Sequence, residues 1–114
     1  MSEIITLCDA WAFRRAYRYG KSFVSPELVT YVIKNKQNNL RIGITTGKKI
    51  GKAVLRSRAR RVIRAAFREV MSVSEVKAYG YDIIFVARGK TPFVKSTHLS
   101  KVMKKQLKES NIIV

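Results

Sequence analysis

Arginine occupies positions 56, 58, 60, 61, 64 and 68 in a stretch from Gly47 to Arg68 that contains no carboxylate. From Val54 onward its spacing predicts one amphipathic helix ending near Met71. Leu55, Ala59, Val62, Ile63, Ala66 and Val70 recur every three or four residues and so share a face. Arg56, Arg60, Arg64 and Arg68 fall about a turn apart on another face, which Arg58 and Arg61 widen. Like charges at i, i+4 repel by roughly a few tenths of a kcal/mol per pair in an isolated helix. Solvated helix faces usually mix signs. A helix with only one sign points instead to a polyanionic partner, the clustering expected of a nucleic-acid binder.

Charge elsewhere sharpens this. Of the net +17, residues 1–27 carry +1, residues 28–68 carry twelve basic and no acidic residues, and residues 69–114 carry +4. A positive field concentrated in the middle third favours a polyanion and speeds its capture. Anionic membrane calls for large apolar residues opposite the basic face; Ala59 and Ala66 suit close packing on a sheet instead. The 114 residues form one domain, 1–114, large enough to bury well over half of its unfolded surface. Cys8 stands alone, which leaves no internal disulfide and no multi-cysteine metal site. The opening residues do not read as a signal peptide, and no apolar run approaches membrane-spanning length, so the expected compartment is the cytoplasm.

Along the chain, residues 1–8 are an apolar lead-in, compatible with an extended course, with no assigned role. Asp9 is placed to cap a helix running to about Tyr19, stopped by Gly20. Ala10, Phe13, Ala16 and Tyr17 make one face of it, and Arg14, Arg15 and Arg18 the other. A short strand fits Lys21 to Val24. Leu28 to Ile33 and Leu40 to Thr45 read as strands joined by the polar turn 35–39 into a hairpin. Tyr81 to Ala87 is apolar on both faces, hence an interior strand. Thr97 to Lys108 is a last helix, with Leu99, Val102, Met103 and Leu107 inward and Lys101, Lys104, Lys105 and Lys108 in water. The expected fold is α+β, a two-layer sandwich ordered helix, three strands, helix, strand, helix.

Residues for catalysis are sparse. The single histidine, His98, sits beside a helix start and reads as a surface residue. Glu3, Asp9, Glu27, Glu69, Glu75, Asp82 and Glu109 are scattered, with no short motif for Mg²⁺ or for split acid and base roles. Gly47 to Lys52 is not a P-loop: three residues separate its glycines and Ala53 follows the lysine.

The Lys48–Phe67 segment resembles the signature of the bacterial ribonuclease P protein component, the small basic subunit that accompanies a catalytic RNA. Lys48-Lys49-Ile50-Gly51, Ala53-Val54, Arg56-Ser57-Arg58, Arg60-Arg61, Ile63-Arg64 and Phe67 fall in register with it. The likeness extends through Phe13, Tyr17, Gly20, Tyr31, Arg41 to Ile44, and Tyr81 to Arg88. Lys52 and Ser57 replace two asparagines of the family pattern, and a hydroxyl offers fewer donors and acceptors than an amide. Glu3, Ile4, Ile5 and Leu7 stand where the family has basic residues.

Several expectations follow from the resemblance. The fold would have a left-handed crossover, as in a ribosomal-protein domain, although such connections are right-handed in about 98% of cases. The chain would bind the catalytic RNA of ribonuclease P as a monomer in a 1:1 ribonucleoprotein. Lys48, Lys49, Lys52, Arg56, Ser57, Arg58, Arg60, Arg61, Arg64 and Arg68 would contact that RNA. Phe13, Tyr17 and Tyr31 would receive the single-stranded 5′ leader of precursor tRNA. Mg²⁺ would be held by RNA and substrate, and the RNA would cut the 5′ end of precursor tRNA. The competing readings are a structural RNA-binding protein without an enzymatic partner, a DNA-binding module, and an anionic-membrane binder. The DNA reading lacks the short preceding helix of a helix-turn-helix.

Overall fold

The computed structural model describes residues 4–7 and 9–114. Residues 1–3 and Cys8, which belong to the apolar lead-in, lie outside the described residues. The chain is α+β, with strands β1 (Ile4–Thr6), β2 (Lys21–Val24), β3 (Leu28–Lys34), β4 (Leu40–Thr45) and β5 (Tyr81–Ala87). Its helices are α1 (Ala10–Tyr19), α2 (Ala53–Val73) and α3 (Ser96–Glu109). Local signals set their bounds. The Trp11 N–H donates to Asp9 Oδ1 at 2.9 Å, closing the first turn of α1 as the capping residue predicts. At its other end, the Gly20 N–H donates to the Ala16 carbonyl at 2.8 Å.

The five strands form one sheet in the order β1-β4-β5-β3-β2. This extends one expectation and corrects another. First, the lead-in contributes a strand: β1 runs parallel to β4, Ile4 opposite Leu40 and Thr6 opposite Ile42. Second, β3 and β4 do not pair as a hairpin. β5 inserts between them, antiparallel to β3 and parallel to β4. The reason lies in β5 itself, where Ile83, Ile84 and Phe85 are all fully buried and need cover on both faces and both edges. The polar turn instead wraps the entry to β5: Asn35 N–H donates to the Gly80 carbonyl, and Gly80 and Tyr81 N–H donate to the Asn39 carbonyl. β2 and β3 are an antiparallel pair, joined tightly through Ser25 and Leu28.

The period of two in the strands sorts two cores. On one face Leu28, Val32, Leu40, Ile42, Ile83 and Phe85 meet Ala59, Ile63, Ala66 and Val70 of α2 and Leu99, Met103 and Leu107 of α3. On the other, Ile84, Tyr31, Ile33 and Val86 meet Ala12, Ala16 and Phe13 of α1. The two-layer sandwich therefore describes the larger core, and α1 adds a third layer across the opposite face. In α1 the inward alanines are Ala12 and Ala16, one turn apart on the face toward the sheet, and Ala10 lies off that face and is exposed.

Two buried polar groups pin the strands. Asp82 is wholly buried and accepts from Arg41 Nε and Nη2, both at 2.6 Å, and from Asn35 Nδ2 at 2.8 Å. The carboxylate raises the Arg41 pKa, through their hydrogen bonds above all. One residue thereby ties β4, β5 and the end of β3. Asp82→Ala is expected to lower stability by about 3 kcal/mol, because it leaves a half-buried guanidinium without its counter-charge. Chemical denaturation checks it; a loss below about 1 kcal/mol would show that water replaces the partner at no net cost. Gln106 of α3 is the second pin. Its Nε2 donates to the Phe23 and Leu28 carbonyls, each at 3.1 Å, and its Oε1 accepts from Thr30 Oγ1 at 2.5 Å. Neither buried polar residue shows in a hydrophobic period.

Candidate nucleic-acid interface

Helix α2 buries Ala59, Ile63, Ala66 and Val70, with Leu55 and Val62 half-buried, and so presents its arginines outward as the periodicity predicts. Five of the six divide between its two flanks. Arg60, Arg64 and Arg68 rise on the flank toward β4 and α1, whereas Arg58 and Arg61 lie on the flank toward the start of α3. Among the described residues Arg41–Asp82 is the one ion pair between an arginine and a carboxylate, so no arginine of α2 has a carboxylate partner there. Arg60 is held in place by neutral groups instead: Nη1 donates to Thr46 Oγ1 at 2.6 Å and Nη2 to Ser57 Oγ at 3.4 Å.

Lys48 and Lys49 are exposed on a 3₁₀ turn, and Lys52 is the residue before α2. Gly51 links them with φ of +124°, where a Cβ would also lie 2.9 Å from Leu55 Cδ1, so glycine is required. The first turn of α2 holds no acid. These lysines therefore add to the positive end of a 21-residue helix rather than offsetting it. The result is a site of positive potential that no carboxylate pairs with among the described residues.

Phe13, Tyr17 and Tyr31 do come together. The Phe13 and Tyr17 rings are 6.5 Å apart between centroids, and Tyr17 meets Tyr31 edge-on at 5.1 Å. Tyr17 is 40% exposed, so the cluster is shared between core and solvent. Its hydroxyl contacts Thr45 Oγ1 at 2.5 Å. Burial raises the Tyr17 pKa, outweighing that hydrogen bond, and the phenol stays neutral near pH 7. Thr45 and Thr46 thus connect the two groups of side chains: one meets the aromatic cluster, the next holds Arg60.

The register of β1 opens a groove here. β1 pairs β4 only as far as Ile42, leaving Gly43 to Thr45 without a strand on that side among the described residues. The gap is a groove of about 600 Å³ lined by Leu7, Phe13, Ile44, Arg60, Arg64, Phe67 and Arg68, among others. Tyr17 and Tyr31 do not line it; they continue the aromatic surface beyond Phe13. Phe67 does line it, stacked obliquely on Phe85 at 5.8 Å. Sequence reasoning assigned Phe67 no role, although its place between Arg64 and Arg68 on the helix signals this flank.

The Phe13 ring can approach β4 this closely only because residue 43 has no side chain. A Cβ there would come within 2.6 Å of Phe13 Cζ and 3.0 Å of Ile84 Cδ1. Gly43→Ala is expected to push the Phe13 ring outward and to cost about 1–3 kcal/mol through overpacking. Thermal unfolding and the Phe13 ring chemical shifts check this; unchanged shifts would mean that the ring was never seated there.

His98 is exposed and contacts Glu27 Oε2 at 2.8 Å, which holds the Glu27 carboxyl below its usual range. Among the described residues no three His, Cys, Asp or Glu side chains gather to hold a metal ion. Nor is any helix there long and apolar enough to cross a membrane.

Comparison with known proteins agrees with this geometry. The sequence model of the family Ribonuclease P matches residues 1–111. The ribonuclease P protein component of Clostridioides difficile is 39% identical over 102 residues, covering 90% of this chain and 88% of that one. Its counterpart in Natranaerobius thermophilus is 33% identical, covering 94% and 99%. The solved Staphylococcus aureus RNase P protein superposes with a TM-score of 0.78 at 28% identity, over 96% of this chain and 97% of that one. On the match of residues 1–111 and the identity to these relatives, the chain belongs to the ribonuclease P protein family.

Proposed function

We propose that the chain is the protein subunit of ribonuclease P, binding the catalytic RNA through α2 and the 5′ leader of precursor tRNA along the groove beside Phe13. The observation that carries this reading is one continuous surface on which unpaired arginines meet half-exposed aromatic rings. Arginine suits phosphate because its planar fork gives paired charged donors. Aromatic faces accept unstacked bases for about 1–3 kcal/mol each with little sequence preference. A single strand of varying sequence, as leaders are, asks for that combination.

The division of labour follows from the side chains. The protein contributes binding and orientation, raising the local concentration of substrate beside the catalytic RNA. Mg²⁺ belongs to the RNA and the bound precursor, where it would supply the hydrolytic nucleophile and stabilise the leaving oxygen. Lys48, Lys49 and Lys52 extend the phosphate-binding surface past the start of α2, and Ser57 steadies Arg60 in place of a direct amide contact. The assembly is a 1:1 complex of one protein monomer and one RNA, working in the cytoplasm.

The test is reconstitution. The purified protein, freed of RNA by nuclease, is expected to leave precursor tRNA intact. Adding the ribonuclease P RNA at low Mg²⁺ is expected to release the 5′ leader at a rate the RNA alone does not reach. Cleavage by the RNA-free protein, or an RNA whose activity the protein leaves unchanged, would overturn the proposal.

A further inference from the structure

The far flank of α2 faces a second groove that shares no lining residue with the first. It has a volume of about 820 Å³ and runs between α2 and the segment leading into α3. Arg58 and Arg61 stand on one wall, Phe93 and Lys95 on the other, and no carboxylate lines it. Phe93 is the unusual member. It is 66% exposed, yet it is not on a loose loop. Thr91 and Pro92, just before it, are buried. Thr91 Oγ1 donates to the Glu27 carbonyl at 2.7 Å and accepts from the Arg88 N–H at 2.8 Å. The Phe93 N–H donates to the Lys90 carbonyl at 3.0 Å, closing a 3₁₀ turn. A large apolar ring is thus held out to solvent on a rigid base, between cations.

We infer that this groove docks a strand of the catalytic RNA bearing an unpaired nucleotide, its base stacked on Phe93 and its flanking phosphates held by Arg58, Arg61 and Lys95. The inference rests on the function proposed above and adds a base-stacking contact to it. Charge selects the class of partner: three cations without an acid suit a polyanion, and an exposed aromatic ring among cations suits unstacked bases. Position selects the source. The leader strand follows the opposite flank, so α2 would lie between the two RNAs, with Arg58 and Arg61 neutralised by the catalytic RNA alone and the row of Arg60, Arg64 and Arg68 shared between the leader and that RNA. That also relieves the repulsion along the helix.

The experiment measures affinity for the ribonuclease P RNA, and the holoenzyme's preference for precursor over mature tRNA, in Phe93→Ala, Phe93→Leu, Phe93→Trp and Arg58→Ala/Arg61→Ala. Stacking predicts that Phe93→Ala and Phe93→Leu each weaken RNA binding about 10-fold and that Phe93→Trp restores it. The double arginine variant should reduce the salt dependence by about 1.5 units in log K against log salt. The precursor preference should stay unchanged in all four. Phe93→Leu binding as tightly as wild type would show an apolar contact without stacking and overturn the inference. A loss confined to the precursor preference would assign the groove to the substrate and overturn it as well. Self-association abolished by Phe93→Ala would make the face an interface between copies, again against it. Arg64→Ala, on the other flank, separates the two levels. If it weakens RNA binding while the groove variants do not, only this inference fails; if neither does, the proposed function fails with it.

Discussion

Replacing Arg60 and Arg64 together by alanine is expected to weaken binding of precursor tRNA and catalytic RNA by about 10-fold for each phosphate hydrogen bond removed, because a hydrogen bond to a charged group contributes about 1.5 kcal/mol. The slope of log affinity against log salt should become shallower by about 1.5–2 units, the share of two released counterions. Stability should move the other way. Neither residue belongs to the buried stripe of α2, and alanine is the best helix former. The substitutions also remove the like-charge pairs Arg56–Arg60, Arg60–Arg64 and Arg64–Arg68, each a repulsion of roughly a few tenths of a kcal/mol. Among the described residues they break only the hydrogen bonds that Arg60 donates to Thr46 and Ser57. Binding that falls while the melting temperature holds or rises is the signature of a face kept for a partner. A variant with unchanged affinity and salt slope would show that the arginines merely keep the surface wet.

That separation was partly legible in the sequence. A period of 3.6 residues assigns each arginine an angle about the helix axis, so the inward stripe of α2 and its outward charge could be read directly. What each flank faces could not. The groove beside Phe13 exists because β1 stops pairing at Ile42, and β1 itself has only three residues, too few for an alternation to show. The order of the strands was hidden for a related reason. Alternation tells which face of a strand is buried and says nothing about its neighbours, so the turn at 35–39 looked like a hairpin. The clue lay in a polar residue: Asp82 inside an otherwise apolar strand needs cationic and amide partners, and finds them in Arg41 and Asn35 on β4 and at the end of β3. Gln106 carries the same lesson for α3, since an amide in a buried stripe reports on carbonyls elsewhere in the fold. The aromatic trio was legible through family resemblance alone, because Phe13 and Tyr17 one turn apart are equally the pattern of a core.

The structure sets those rings between core and solvent, and that sets the expected result for Phe13→Ala. Phe13 is half-buried against Gly43 and also lines the open groove. Its truncation should cost about 1–3 kcal/mol, less than the roughly 3–5 typical of a fully buried ring, since part of the ring already faces water. The larger effect should fall on substrate choice. Holoenzyme with Phe13→Ala is expected to lose about 10-fold in affinity for precursor tRNA with a leader of several nucleotides, the size of one stacked base, and to bind mature tRNA as before. Tyr31→Ala should do likewise through Tyr17, whose ring it supports edge-on at 5.1 Å. Tyr17→Phe supplies the control. It removes the Thr45 hydrogen bond but keeps a ring of the same shape, so leader preference should survive. The measured quantity is the ratio of precursor to mature affinity in each variant. A ratio unchanged in Phe13→Ala and Tyr31→Ala, in proteins shown to be folded, would remove the aromatic cluster from the binding surface and return it to the core. A ratio lost in Tyr17→Phe would instead locate the contact at the hydroxyl and Thr45, making the leader's recognition polar rather than stacked.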